Sequence, residues 1–107
     1  MKAIQSEAEQ AFYREVVKLV ASDAPDAWVI AVMKIEVSEP VCEVTVDHID
    51  ATGHVIWFDI TNELRQMLCR ACEQFRAAMQ DSGGTGWRCA ALTLSTGGVI
   101  SAEFWSR

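Results

Sequence analysis

Four cysteines, two histidines and a run of carboxylates are the residues of this chain whose types could do chemistry. Cys69 and Cys72 form a CxxC, the spacing of redox dithiols and of half a zinc site. A redox CxxC normally opens a helix, where the dipole lowers the pKa of the first thiol. Here Leu64 to Cys69 already reads as helix, so the pair sits mid-helix without that help. Cys72 fits an apolar stripe and Cys69 falls at its edge. A zinc site would need two more ligands, from Cys42 and Cys89 or from the histidines, and no Gly or Pro knuckle turn flanks the pair. Packing residues with reduced thiols are the better reading.

His48 and His54 flank a turn between two expected strands, with Asp47 and Asp50 beside them. Facing each other, they could form an acid–base pair or a weak metal site. The plainer expectation is two polar, exposed hairpin ends. Gly83-Gly84-Thr85-Gly86 resembles a phosphate loop in composition, yet it precedes a strand and lacks the lysine. No serine nucleophile motif accompanies any of these groups. The expectation is therefore a protein that is not an enzyme and uses no cofactor or metal.

The carboxylates are more informative. From Ile35 to Leu64 the chain carries seven acids, Glu36, Glu39, Glu43, Asp47, Asp50, Asp59 and Glu63, and neither Lys nor Arg. Strand side chains alternate between faces, so this spacing can line one solvated side of a sheet. A one-sign face steers and holds a positively charged partner; its bland counterpart is an ordinary solvated surface. Of the tryptophans at 28, 57, 87 and 105, Trp57 shares strand parity with Asp59 and is the candidate buried anchor of an interface. The expected binding residues are Glu36, Glu43, Asp47, Asp50, Trp57 and Asp59.

The chain that must position them has 107 residues, half of them hydrophobic, and a net charge of −6. That length suits one domain spanning 1–107, with a core large enough to fold unaided. The charge and the scattered nine basic residues argue against nucleic acid as a direct ligand. No apolar signal core and no run approaching about 18 apolar residues is present, so neither secretion nor membrane insertion is expected. A cytoplasmic protein with reduced thiols follows.

Ser6 to Glu9 has the form of a capping box. Ala8, Phe12, Val16, Leu19 and Val20 then repeat at helical spacing, giving a helix over Glu7 to Ala21 that ends before Pro25. Ala27 to Ser38 and Val41 to Ile49 alternate as strands, separated by Glu39-Pro40. Met33, Ile35, Val37, Cys42, Val44 and Val46 face one side; Lys34, Glu36, Glu43, Thr45 and Asp47 face the other. After the turn Asp50 to Gly53, His54 to Ile60 reads as a third strand, apolar on nearly both faces and hence central or covered. Asp59 or Thr61 caps a second helix with a strong apolar period from Leu64 to Met79, ending at Ser82-Gly83-Gly84. Trp87 to Ser95 and Val99 to Trp105 form a hairpin about Thr96-Gly97-Gly98. The expected fold is α+β in the order α-β-β-β-α-β-β. It is a mainly antiparallel sheet of about five strands with two helices packed against it.

This order and the C-terminal residues together carry a resemblance. Asp26-Ala27-Trp28 leads a strand, a meander ends in Trp57-Phe58, and a long helix bears Phe75. Gly86-Trp87, Ala91-Leu92-Thr93-Leu94, Gly97-Gly98 and Phe104-Trp105 close the chain. The chain resembles the YezG-like immunity proteins of bacterial polymorphic and contact-dependent growth-inhibition toxin systems. It departs from them at Val55 to Asp59, where the family is richer in tyrosine. The resemblance implies a non-enzymatic protein that binds and neutralises one cognate toxin, often a nuclease with a basic surface, encoded by the adjacent gene. Two other readings stand beside it. One is a small thiol- or zinc-dependent enzyme using Cys69 and Cys72; the other is a homodimeric module pairing through an unprotected edge strand or a tryptophan-bearing face.

Overall fold

The computed structural model describes residues 7–38, 41–81 and 87–106. Ser6, the Glu39-Pro40 break and the glycine-rich stretch 82–86, all singled out above, lie outside the described residues. The elements are α1 (Glu7–Ser22), β1 (Trp28–Ser38), β2 (Val41–Asp50), β3 (Val55–Ile56), α2 (Asn62–Asp81), β4 (Cys89–Ser95) and β5 (Gly98–Trp105). The fold is α+β, in the order expected.

Both helices form where apolar residues recur every three or four positions. On α1 the stripe Phe12, Val16, Leu19 and Val20 is buried, and on α2 Leu64, Leu68, Ala71, Cys72 and Phe75 are buried. Thr61 caps α2, its Oγ1 accepting the Leu64 amide at 3.0 Å, which satisfies one of the first-turn donors. The rings of Phe12 and Phe75 stack at 4.6 Å and pin the two helices together. Arg65 and Arg76 fasten α2 to the sheet side: the Arg65 Nε donates to the Val44 carbonyl, and the Arg76 Nε donates to the Trp87 carbonyl at 2.6 Å.

The five strands form one antiparallel sheet in the order β3-β2-β1-β4-β5. Alternation in β1 and β2 sends Ala31, Met33, Ile35, Val37, Val44 and Val46 under the helices, and β4 adds Ala90, Leu92 and Leu94. At roughly 1.5–3 kcal/mol per fully buried aliphatic or aromatic side chain, this single layer between helices and sheet holds the fold. Among the described residues no helix is long and apolar enough to cross a membrane.

Two expectations about the strands need correction. The third strand is neither central nor seven residues long. It is a two-residue edge strand, and the central strand is β1. After Ile56 the chain leaves the sheet to reach the Thr61 cap, burying Ile60 and turning Trp57 out to 96 % exposure. The apolar character of this stretch therefore comes from a linker that packs on one side only. Likewise the fourth strand begins at Cys89, not Trp87. Trp87 is buried ahead of it, 5.1 Å from the Phe104 ring.

Candidate partner-binding face

With both helices on one side, the opposite face of the sheet presents residues in rows across four strands. The ladder pairings set one row as Glu43, Glu36, Cys89 and Trp105. The next is Thr45, Lys34, Ala91 and Glu103, and the one after is Asp47, Val32, Thr93 and Ser101. Glu36, Glu43 and Asp47 thus lie on one helix-free face, as their parity predicts. Glu36 and Glu43 are direct cross-strand partners, and like charges placed directly opposite one another repel.

The other three expected binding residues are placed differently. Asp50 ends β2, and its carboxylate accepts from the Thr52 amide, the Thr52 hydroxyl and the His54 amide at 2.9, 2.7 and 3.0 Å. These bonds, the Thr52 hydroxyl first, hold its pKa below the usual carboxylate value. Gly53 completes that turn with a φ of +89°, a conformation suited to glycine. The Asp50 carboxylate is therefore engaged by its own turn. Trp57 and Asp59 lie beyond β3, exposed on the linker to α2, so the shared strand parity expected for them does not exist.

The histidines do not face each other. His54 is exposed, with Nδ1 2.7 Å from the Thr52 hydroxyl. His48 continues the inward parity of Val44 and Val46 and is 1 % exposed. Trp28 and Phe58 meet its ring edge-on at 6.1 and 5.2 Å, and neither ring nitrogen has a hydrogen-bond partner. Burial pushes its pKa down; Asp47 and Asp23 pull it back up more weakly. The expectation of two exposed hairpin histidines is overturned for His48, and an acid–base pair between them is excluded by their opposite placement.

The cysteines are corrected as well. Cys42, on the core side of β2, is joined to Cys69 of α2 in a disulfide with a Cα–Cα distance of 6.0 Å, within the bridging range. Four free thiols were expected; two remain, Cys72 and Cys89, both buried. Burial pushes the Cys72 thiol up to about 12, the opposite of an activated nucleophile. The CxxC thus supplies one half of a cross-link and one packing residue. Among the described residues no three His, Cys, Asp or Glu side chains come together as a metal site.

Three residues of the face escaped the sequence reading: Cys89, Glu103 and Trp105. The signal was present in β5, where Ala102 and Phe104 pack inward while Ser101, Glu103 and Trp105 take the other parity. No protein-family model matches this chain, and no curated protein matches it significantly.

Proposed function

We propose that this protein is an immunity protein, neutralising a cognate bacterial toxin by stoichiometric binding through the helix-free face of its sheet. The observation that carries the reading is a combination of exposed groups. Glu36, Glu43 and Asp47 share one open face, and Trp57 projects from the adjoining linker at 96 % exposure. A large aromatic held in solvent is costly unless it has a partner to bury it, and tryptophan dominates interface energetics. Clustered acids accelerate encounter with a basic protein and reject acidic ones. The resemblance to YezG-like immunity proteins gives this chemistry its biological sense: the partner is a basic toxin, in this reading a nuclease, made from the adjacent gene. Neutralisation is by occlusion and needs no cofactor and no reaction. The compartment is the cytoplasm, where a nuclease toxin meets its substrate.

The experiment is co-expression of the chain with the product of the neighbouring gene, followed by purification and a toxicity assay. The expected result is a one-to-one complex that is silent, with the partner toxic when expressed alone. A harmless neighbour, or toxicity undiminished at equimolar protein, overturns the reading.

A further inference from the structure

The helix-free face is not flat. Over β4 it sinks into a trough of about 390 Å³ whose lining includes Lys34, Glu36, Glu43, Cys89, Ala91 and Trp105. The floor is low because β4 contributes small side chains there, Cys89 and Ala91. The walls are Glu36 on β1 and Trp105 on β5, the two ladder partners of Cys89. Adjacent strands lie about 4.8 Å apart, so the backbones that carry the two walls run roughly 10 Å apart and their side chains lean in over Cys89. Cys89 is only 3 % exposed although it belongs to the side without helices, so these neighbours shield it. Its thiol forms no disulfide and no side-chain hydrogen bond among the described residues.

We propose that this trough is the socket for one arginine side chain of the partner protein. The inference rests on the reading of this face as a protein-binding surface and adds the chemistry of what it grips. A guanidinium is a thin plane with donors on its edge and a weakly hydrated face. Between these walls its face stacks on the Trp105 indole while its edge donates toward the carboxylates of Glu36 and Glu43. A lysine ammonium is a compact, strongly hydrated point charge that uses the carboxylates and gains less from the indole. Lys34 also lines the trough and offsets part of the acids' charge, so the indole contact, which favours a guanidinium, weighs more in the choice of cation. A metal ion is a poorer fit, since the acids and the thiol do not converge as ligands.

The test is nuclear magnetic resonance titration of the isolated protein, which leaves it independent of whether the toxin reading survives. The probes are a blocked Gly-Arg-Gly peptide, its Gly-Lys-Gly analogue and spermidine. The arginine peptide is expected to shift the Trp105 indole N–H and the Glu36 and Cys89 amides, with a Kd on the order of 1–10 mM. The lysine peptide should bind at least about threefold more weakly. Trp105→Leu and Glu36→Gln should each weaken binding about tenfold or remove it, in protein whose remaining amide spectrum is unchanged. Glu63→Gln, at the start of α2, should have no effect. No localised shift by about 20 mM peptide overturns the proposal. So does equal binding of lysine, or survival of binding in both variants. Tighter binding by spermidine overturns it too, by making the trough a small-polycation site instead of a docking socket.

Discussion

The ring of Phe58 meets the imidazole of His48 edge-on at 5.2 Å, and this contact ties strand β2 to the linker that carries Trp57. His48 is buried, without a hydrogen-bond partner on either nitrogen, and its pKa is depressed by desolvation. The unfolded chain takes up a proton at His48 near the ordinary pKa of about 6.5, whereas the native protein resists it. Stability from this group is therefore full above about pH 6.5 and declines as pH falls toward the depressed native value. Urea denaturation at about pH 7.5 and 5.5 should show a loss in the parent protein that His48→Phe lacks. Asp50 titrates in a separate, lower window: its depressed pKa adds stability above 3.8 that is lost as pH falls below that value. An identical drop from about pH 7.5 to 5.5 in parent and His48→Phe would remove His48 as its cause.

Glu36 and Glu43 sit opposite each other on the exposed face, so function and stability should respond to them in opposite directions. Glu43→Gln relieves a like-charge cross-strand pair and should raise the stability of the free protein by about 0.2–1 kcal/mol. The same change should slow association with a basic partner, most at low salt. Reversing charge in Glu43→Lys with Asp47→Lys should reduce the association rate by about tenfold or more and flatten its salt dependence. Stopped-flow association at low and high ionic strength, with equilibrium denaturation alongside, reads both effects. Unchanged association in the double variant would refute steering by this face.

The Cys42–Cys69 link closes a loop across a sequence separation of 27 and staples β2 to α2. Chain-entropy arguments put such a loop at roughly 3–4 kcal/mol. The double variant Cys42→Ser, Cys69→Ser should be less stable by about that amount and, with the core between helices and sheet intact, still fold. Cys72 will not replace either partner, since its thiol is buried and held mostly protonated by a pKa of about 12. Alkylation of native protein should leave Cys72 and Cys89 unmodified, and reduction should expose two further thiols to the reagent. Intact mass spectrometry counts them. A native protein already showing two reactive thiols before reduction would contradict the link.

Much of this molecule was legible because its periods are strong. The α2 stripe from Leu64 to Phe75 and the alternation through Met33, Ile35 and Val37 are local patterns, and each landed on the side expected. The same logic located Glu36, Glu43 and Asp47 on the open face. It should also have buried His48, which continues the parity of Val44 and Val46; residue type overrode pattern there. The failures at β3 and at the disulfide share another cause. Whether Val55 to Ile60 pairs or peels away depends on how far Thr61 must travel to start α2. Whether Cys69 meets Cys42 or lies beside Cys72 depends on which face of α2 settles over β2. Both are decided by packing between elements distant in sequence, which a one-dimensional period does not encode.

Trp57 gives the cleanest separation of binding from folding. At 96 % exposure it contributes almost nothing to the core, while its neighbour Phe58 packs against His48 and keeps the linker in place. Trp57→Ala should therefore leave the unfolding free energy within about 0.5 kcal/mol of the parent. Phe58→Ala, by contrast, removes the edge contact to His48 and should cost about 1–3 kcal/mol. If Trp57 is the anchor of the interface, its truncation should weaken the complex by at least about 2 kcal/mol, near thirtyfold in Kd, chiefly through faster dissociation. Calorimetry on the purified complex and denaturation of the free variants measure the two quantities independently. A Trp57→Ala protein that is stable and binds like the parent would leave the interface to the sheet face alone, with Trp105 as its aromatic centre.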